Sequence, residues 1–336
     1  MLRRLPVYLL LDCSESMAGP PLEAVENGVA TMLAALKRNP HALETVFMSV
    51  ITFDAKARQE FPLTEIAAMA PPRLSIRPGT AMGAALKLLA AAIKREVVKT
   101  TEKQKGDYRP LVFIITDGRP TDEWREAARR LRESRPALAS IYAIGCGDDV
   151  DFAVLKEAAD VSIHMSALST DSFAKLFVWL SASVQSMSVS AADKISLEKI
   201  PLGEGLALVE AGAAPPPAAR PRLYFHARCR KTRRHYLMIY KYEPAGEVYM
   251  AQAGHALPDD FFAEGTLAAP DVSSDLLYGE TVCPHCGAAA WAQCGFCRHL
   301  FCLPEDFDEP ALVCPVCETR LTRGRGDAFD VSGSAG

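Results

Sequence analysis

The sequence predicts an α/β protein, a doubly wound and mostly parallel sheet, followed by a small β-rich zinc-binding domain. Three observations carry this. Four apolar runs at 7–11, 46–53, 111–115 and 138–144 read as strands buried on both faces by flanking helices. The stretches between them place apolar residues every three or four positions. Finally, seven of the ten cysteines crowd between Cys283 and Cys317, which indicates metal ligands in a reducing setting.

The elements follow in order. Run 7–11 opens the sheet and ends at Asp12. Val25, Val29, Leu33 and Leu36 share one helical face, and Met82, Leu86, Leu89 and Ile93 share another in a segment extending to about 103. Thr121 is placed to cap a helix from Asp122 to Ser134, closed by Pro136. A last amphipathic helix is expected over 172–184. Strand–helix alternation of this kind gives a doubly wound sheet with its ligand edge at the carboxyl ends of the strands. From about Ser188 the character changes. Residues 211–221 are rich in Ala and Pro and read as a linker. Segments 223–225, 236–242 and 248–251 read as short strands, and the cysteines follow. The expected organisation is therefore a first domain over 1–190, a linker or edge segment over 191–222, a β-rich zinc domain over 223–321 and a disordered tail over 322–336.

Length and composition agree with this division. A chain of 336 residues suits two domains, and 49% apolar with 23% charged residues is ordinary for a globular protein. The net charge of −4 lends no support to a generic nucleic-acid binder. The opening apolar run is short, ends at Asp12 and is followed by no small-residue cleavage site, so a strand is expected rather than a leader. No apolar stretch is long enough to span a bilayer. The expected location is the cytoplasm.

Two constellations carry chemistry. Asp12, Ser14 and Ser16 alternate directly after the first strand, Asp117-Gly118 follows the 111–115 strand, and Thr80 precedes the helix containing Leu86. All five would lie at the ligand edge of the sheet. Hydroxyls and carboxylates are hard ligands, so an all-oxygen site suits Mg²⁺, with Mn²⁺ or Ca²⁺ as alternatives. In the second constellation, Cys283-Pro-His-Cys286 and Cys314-Pro-Val-Cys317 are two C-x-x-C knuckles able to complete one tetrahedral Zn²⁺ site. Between them Cys294, Cys297, His299 and Cys302 offer a second set of three thiolates and an imidazole, for one or two zinc ions in all.

These residues resemble known families. The order Asp12-x-Ser14-x-Ser16, Thr80, Asp117-Gly118 is similar to the metal-ion-dependent adhesion site (MIDAS) of von Willebrand factor A (VWA) domains, a Rossmann-like fold, over roughly residues 5–187. The resemblance implies that Ser14, Ser16 and Thr80 contact the metal directly, that Asp12 and Asp117 act directly or through water, and that a partner's Asp or Glu fills the open position. The cysteine spacing also resembles a RING cross-brace, departing from it at Glu305, where a ligand cysteine should stand. The segments 224–242 and 254–262 with the cysteine cluster resemble the C-terminal domain of TerY-like proteins of bacterial tellurite-resistance and stress systems. That resemblance implies association with a Ser/Thr protein kinase and a PP2C-type phosphatase.

Other features are weaker. Arg228, Arg230, Lys231, Arg233 and Arg234 form either a patch for phosphate, nucleic acid or an acidic partner, or a solvated turn before the strand at Tyr236. Cys13, Cys146 and His164 read as packed, structural residues. The chain has no P-loop, H-E-x-x-H, G-x-S-x-G or dinucleotide fingerprint. The expectation is thus a non-catalytic, metal-dependent interaction adaptor. A Mg²⁺-dependent hydrolase and a nucleic-acid-binding zinc protein are the alternatives.

Overall fold

A computed structural model describes residues 3–102, 104–133, 137–147, 150–189, 202, 205–209, 222–258, 271–303, 312–321, 328–332 and 334–335. The linker 211–221, Glu305 and residues 259–262 lie outside the described residues. The chain divides into two compact units, the first made of Met1–Ser75 and Gly79–Pro217 and the second of Ile76–Pro78 and Ala218–Gly336.

In the first unit, strand β1 (Leu5–Asp12) is followed by helices α1 (Pro20–Arg38) and α2 (Pro40–Thr45) and by strands β2 (Val46–Phe53) and β3 (Ala57–Glu65). Then come α3 (Met82–Glu96), β4 (Leu111–Thr116), α4 (Arg125–Glu133), β5 (Ser140–Cys146), α5 (Phe152–Ala158), β6 (Val161–Met165), α6 (Thr170–Val189) and β7 (Leu206–Leu208). The sheet order is β3-β2-β1-β4-β5-β6-β7. Its five inner strands run parallel, and β3 and β7 close the edges antiparallel.

The pattern of burial explains the layers. Every residue of β1 and β4 is buried, as a strand between two helical layers requires. Tyr8 and Leu10 join Met82, Leu86 and Leu89 of α3, Leu131 of α4 and Leu155 of α5 in one core. Helices α1, α2 and α6 pack together in the other layer. There Gly28 of α1 lies against the Phe177 ring, and a Cβ at this position would stand 2.0 Å from Phe177 Cδ2.

Several boundaries differ from expectation. The second predicted helix, α3, stops at Glu96, where the chain turns extended at Val97, instead of running to about 103. Helix α4 starts at Arg125, three residues after its expected start at Asp122, because Thr121 and Asp122 are engaged elsewhere. Strand β7 belongs to the first unit's sheet, so that unit extends past residue 190.

The second unit is built on β8 (Leu223–Arg228), β9 (His235–Glu243) and β10 (Val248–Ala256). It adds β11 (Asp271–Ser273), β12 (Leu277–Tyr278), β13 (Ala290–Gln293), β14 (Leu300–Leu303), β15 (Leu312–Val313), β16 (Arg320–Leu321), β17 (Asp330–Ser332) and β18 (Ser334–Ala335). The main sheet runs β12-β10-β9-β8-β14-β13. Residues 328–332 and 334–335 correct the expectation of a disordered tail, whose first residues, 322–327, lie outside the described residues. Strand β17 pairs antiparallel with β11 and Val331 is fully buried in the second unit's core. Val331 alternates with the polar Asp330 and Ser332 along β17, the period of two expected of a strand with one buried face.

Candidate metal centres

The five oxygen-bearing residues converge. Asp12 ends β1, and Ser14 and Ser16 follow on a tight turn whose Ser14 N–H donates to Asp12 Oδ1 at 2.9 Å. The Ser14 and Ser16 hydroxyls are 2.8 Å apart, and Ser16 Oγ donates to Asp117 Oδ1 at 2.5 Å. All five side chains, Thr80 included, are buried. A Cβ placed on Gly118 would lie 3.3 Å from Thr80 Oγ1 and 3.7 Å from Asp12 Oδ2, so glycine here leaves open the space between those two oxygens.

Electrostatics favour a cation. Burial pushes the Asp12 carboxyl up to about 6, against hydrogen bonds from Thr116 and Ser14, and Asp54 adds to the rise. Thr80 Oγ1 is buried and has no hydrogen-bond partner among the described residues. A buried hydroxyl without a partner normally costs stability, and a metal ion would use its lone pair. Three hydroxyls and two carboxylates form a hard donor set that fits Mg²⁺ or Mn²⁺.

The von Willebrand factor type A domain model matches residues 7–177, which includes all five of these positions. The chain belongs to this family. Bovine matrilin-1 is 24% identical over 159 residues, covering 46% of this chain and 28% of matrilin-1. An uncharacterized protein of Synechocystis sp. is 30% identical over 167 residues, covering 47% of this chain and 36% of that protein. The matched region thus spans about a third of the length of these relatives. The solved structure of proximal thread matrix protein 1 from the mussel byssus, with a zinc-occupied MIDAS motif, shares 17% identity at a TM-score of 0.40, covering 55% of this chain and 48% of that chain.

The VWA site has supports that were not read from the sequence. Thr116 Oγ1 donates to Asp12 Oδ2 at 2.5 Å and receives the Gly118 N–H at 3.2 Å. Glu15, buried between Ser14 and Ser16, accepts the Gly79 N–H at 2.9 Å. Thr121 holds Thr80 from both sides: its hydroxyl accepts the Thr80 N–H at 3.1 Å, and its own N–H donates to the Thr80 carbonyl at 2.9 Å. Thr121 therefore clamps a neighbouring loop, in place of the helix cap the sequence indicates. Cys13 and Cys146 are buried, and burial raises both thiols well above their usual range, in line with packed residues. His164 Nε2 lies 3.2 Å from the Gly147 carbonyl.

The cysteines of the second unit fall into two groups that differ from those expected. The sulfurs of Cys229, Cys283, Cys286 and Cys302 lie within 4.8 Å of one another, as do those of Cys294, Cys297, Cys314 and Cys317. The knuckles Cys283/Cys286 and Cys314/Cys317 therefore belong to different sites, and Cys302 separates from Cys294 and Cys297. His299 is in neither group. It is exposed, with Nδ1 3.1 Å from the Cys297 carbonyl. Strand pairing is the cause. Cys294 and Cys297 sit in the turn of the β13–β14 hairpin, whereas Cys302 sits on β14. That strand runs parallel to β8 with Leu300 opposite Ala227 and Phe301 opposite Arg228, a register that brings Cys302 beside Cys229. The two groups interleave along the chain as in a cross-brace, and Cys229 is the eighth sulfur.

The geometry fits zinc. Four thiolates at about 2.3 Å from a tetrahedral centre lie about 3.8 Å apart. Here Cys286–Cys302, Cys294–Cys317 and Cys297–Cys314 are 3.5, 3.6 and 3.7 Å apart. Among the described residues, no helix is long and apolar enough to cross a membrane.

Proposed function

We propose that this chain is a non-catalytic interaction adaptor of the cytoplasm whose VWA site holds Mg²⁺ and takes an Asp or Glu of a protein partner. The observation carrying this reading is the buried, partnerless hydroxyl of Thr80 beside the Asp12, Ser14, Ser16 and Asp117 cluster. Bound there, the divalent ion supplies positive charge that a partner carboxylate can complete. Asp12 and Asp117 balance the ion's two positive charges, and the three hydroxyls are weak neutral ligands, so a hard oxygen ligand such as a partner carboxylate would complete the coordination. The second unit, with Zn²⁺ in each thiolate group, is a rigid platform whose small size requires metal for its fold. Its resemblance to TerY-like proteins supports a Ser/Thr kinase and a PP2C-type phosphatase as the partners, within a stress-response phosphorylation system.

The test has two stages. Paramagnetic resonance of the full chain with added Mn²⁺ should show one tightly bound ion, absent in Thr80→Ala. Co-expression with the kinase or phosphatase encoded nearest to it should then give a complex on size-exclusion chromatography in Mg²⁺, lost with Thr80→Ala. A complex that forms equally well with the variant would move the contact away from the VWA site.

A further inference from the structure

Three turns of the cysteine-rich unit share one construction. At Cys283, Cys294 and Cys314, the carbonyl accepts the N–H four residues on, from Gly287, Arg298 and Glu318, at 2.9, 2.8 and 3.1 Å. Each of these cysteines donates its own N–H to the carbonyl five residues on, of Ala288, His299 and Thr319, at 2.8, 2.9 and 3.0 Å. The residue four positions on is left-handed in every case, with φ of 78°, 60° and 61°. The second cysteine of each knuckle stands three residues after the first.

The turn at Cys229 has the same construction. Arg233 N–H donates to the Cys229 carbonyl at 2.9 Å, and Cys229 N–H donates to the Arg234 carbonyl at 2.8 Å. Arg233 is left-handed, with φ of 59°. The hairpin framing matches too. The residue before the cysteine pairs with the residue six after it at Gln293–Leu300 and Val313–Arg320, and likewise at Arg228–His235. Among the described residues, four non-glycine residues have positive φ, and three of them are the fourth-position residues Arg233, Arg298 and Glu318. A left-handed non-glycine residue costs about 1–2 kcal/mol, so its recurrence at one position of one turn marks a shared constraint. At Cys229, the position of the second cysteine is occupied by Thr232, whose N–H lies 3.4 Å from Cys229 Sγ.

We infer that the Cys229–Arg234 turn is a zinc knuckle with threonine at its second ligand position, and that Cys302 of β14 supplies the missing thiolate. The inference rests on the zinc reading of the thiolate groups given above. It makes this metal a cross-link between the β8–β9 hairpin and β14, which pairs with β8 over just two register positions. It also gives a reason for two residues of the basic run. Arg230 and Lys231 fill the two positions inside the knuckle, beside a centre of four thiolates and one divalent ion that carries a net negative charge.

The test moves the ligand. Zinc per full-length chain is counted by elemental analysis in wild type, Cys302→Ser, Thr232→Cys/Cys302→Ser and Cys229→Ser/Thr232→Cys. The expected counts are two, one, two and two. A wild-type count below two would remove the zinc reading itself. A wild-type count of two with both double variants at one, or with both insoluble, would overturn the knuckle and leave the zinc reading standing. If Cys302→Ser alone is insoluble, recovery of soluble protein with two zinc ions in either double variant has the same meaning.

Discussion

The carboxylate of Asp122 caps helix α3, which begins at Met82 on a different segment of the chain. Its two oxygens receive the N–H groups of Gly83 and Ala84 at 2.8 Å each, while Ala81, the residue before α3, provides no side-chain cap of its own. The loop that leaves Asp117 is thereby tied to the helix that begins just after Thr80, and Thr121 adds two hydrogen bonds to Thr80 itself. The carboxylate and hydroxyl halves of the VWA site are thus held in register before any ion binds.

The first prediction follows from that tie. Asp122→Ala removes a cap, at about 1 kcal/mol, and loosens Thr80 without deleting any ligand. Thermal unfolding should show the small loss, and Mn²⁺ titration should show affinity lowered by about tenfold, the scale of supporting-residue losses at metal sites. Unchanged Mn²⁺ affinity would mean that the Thr80 loop is held well enough without Asp122.

A second prediction separates two of the ligands. Thr80 Oγ1 has no hydrogen-bond partner among the described residues, so in Thr80→Ala the relief of an unpaired buried hydroxyl offsets the loss of a buried methyl, metal-free stability should not fall below wild type, and tight Mn²⁺ binding should be abolished. Asp12 is different. It receives hydrogen bonds from both Thr116 and the Ser14 N–H, and Asp12→Ala leaves buried donors unsatisfied, at about 1–3 kcal/mol each. Urea unfolding without metal should therefore rank wild type and Thr80→Ala together, well above Asp12→Ala. Equal stability of the two variants would contradict this assignment of bonds.

The VWA half of the chain was legible because its signals are local. Continuous apolar runs marked β1, β2, β4 and β5, and the order of hydroxyls and carboxylates marked the site. Strand β3 was not, since it is half exposed and carries Pro62, which normally argues against a strand except at an edge. Thr121 looked like the cap, and Asp122 like the first residue, of the helix that follows them, and only tertiary packing shows that they serve Thr80 and α3. The cysteines gave their element but not their pairing, because three C-x-x-C knuckles can be shared in several ways along one chain. Cys229, more than fifty residues before Cys283, had one local signal: a short basic turn between two apolar strands.

A third prediction concerns the helical layer. Gly28→Ala would place a methyl group 2.0 Å from the buried Phe177 ring. Helix propensity alone favours alanine by about 1 kcal/mol, whereas overpacking costs about 1–3 kcal/mol. The second effect should win here, since Phe177 is enclosed and cannot swing away. The variant should melt lower than wild type, and adding Phe177→Leu should restore part of the loss. A more stable Gly28→Ala would show that α1 and α6 can move apart without cost.

The last prediction concerns the two thiolate groups and the residue that stands between them. Cys229, Cys283 and Cys302 lie in one apolar cluster with Phe225, Tyr236 and Tyr240, whereas Cys294 and Cys314 lie in another with Phe301 and Leu312. Separate packing means that the ions should be lost separately. With Co²⁺ in place of zinc, wild type should show the strong charge-transfer absorption of two all-thiolate sites. Cys302→Ala should lose about half of it, and so should Cys317→Ala. His299→Ala should lose none, because His299 is exposed and outside both groups. Chelation of both ions should unfold the second unit and leave the VWA unit's transition in place. Structural zinc contributes roughly 10–16 kcal/mol in small modules, more than clusters of this size can replace, while the first unit has an apolar core with no cysteine ligand in it. Loss of half the absorption in His299→Ala would restore the imidazole to a site and would make it, in place of Cys229, the eighth ligand.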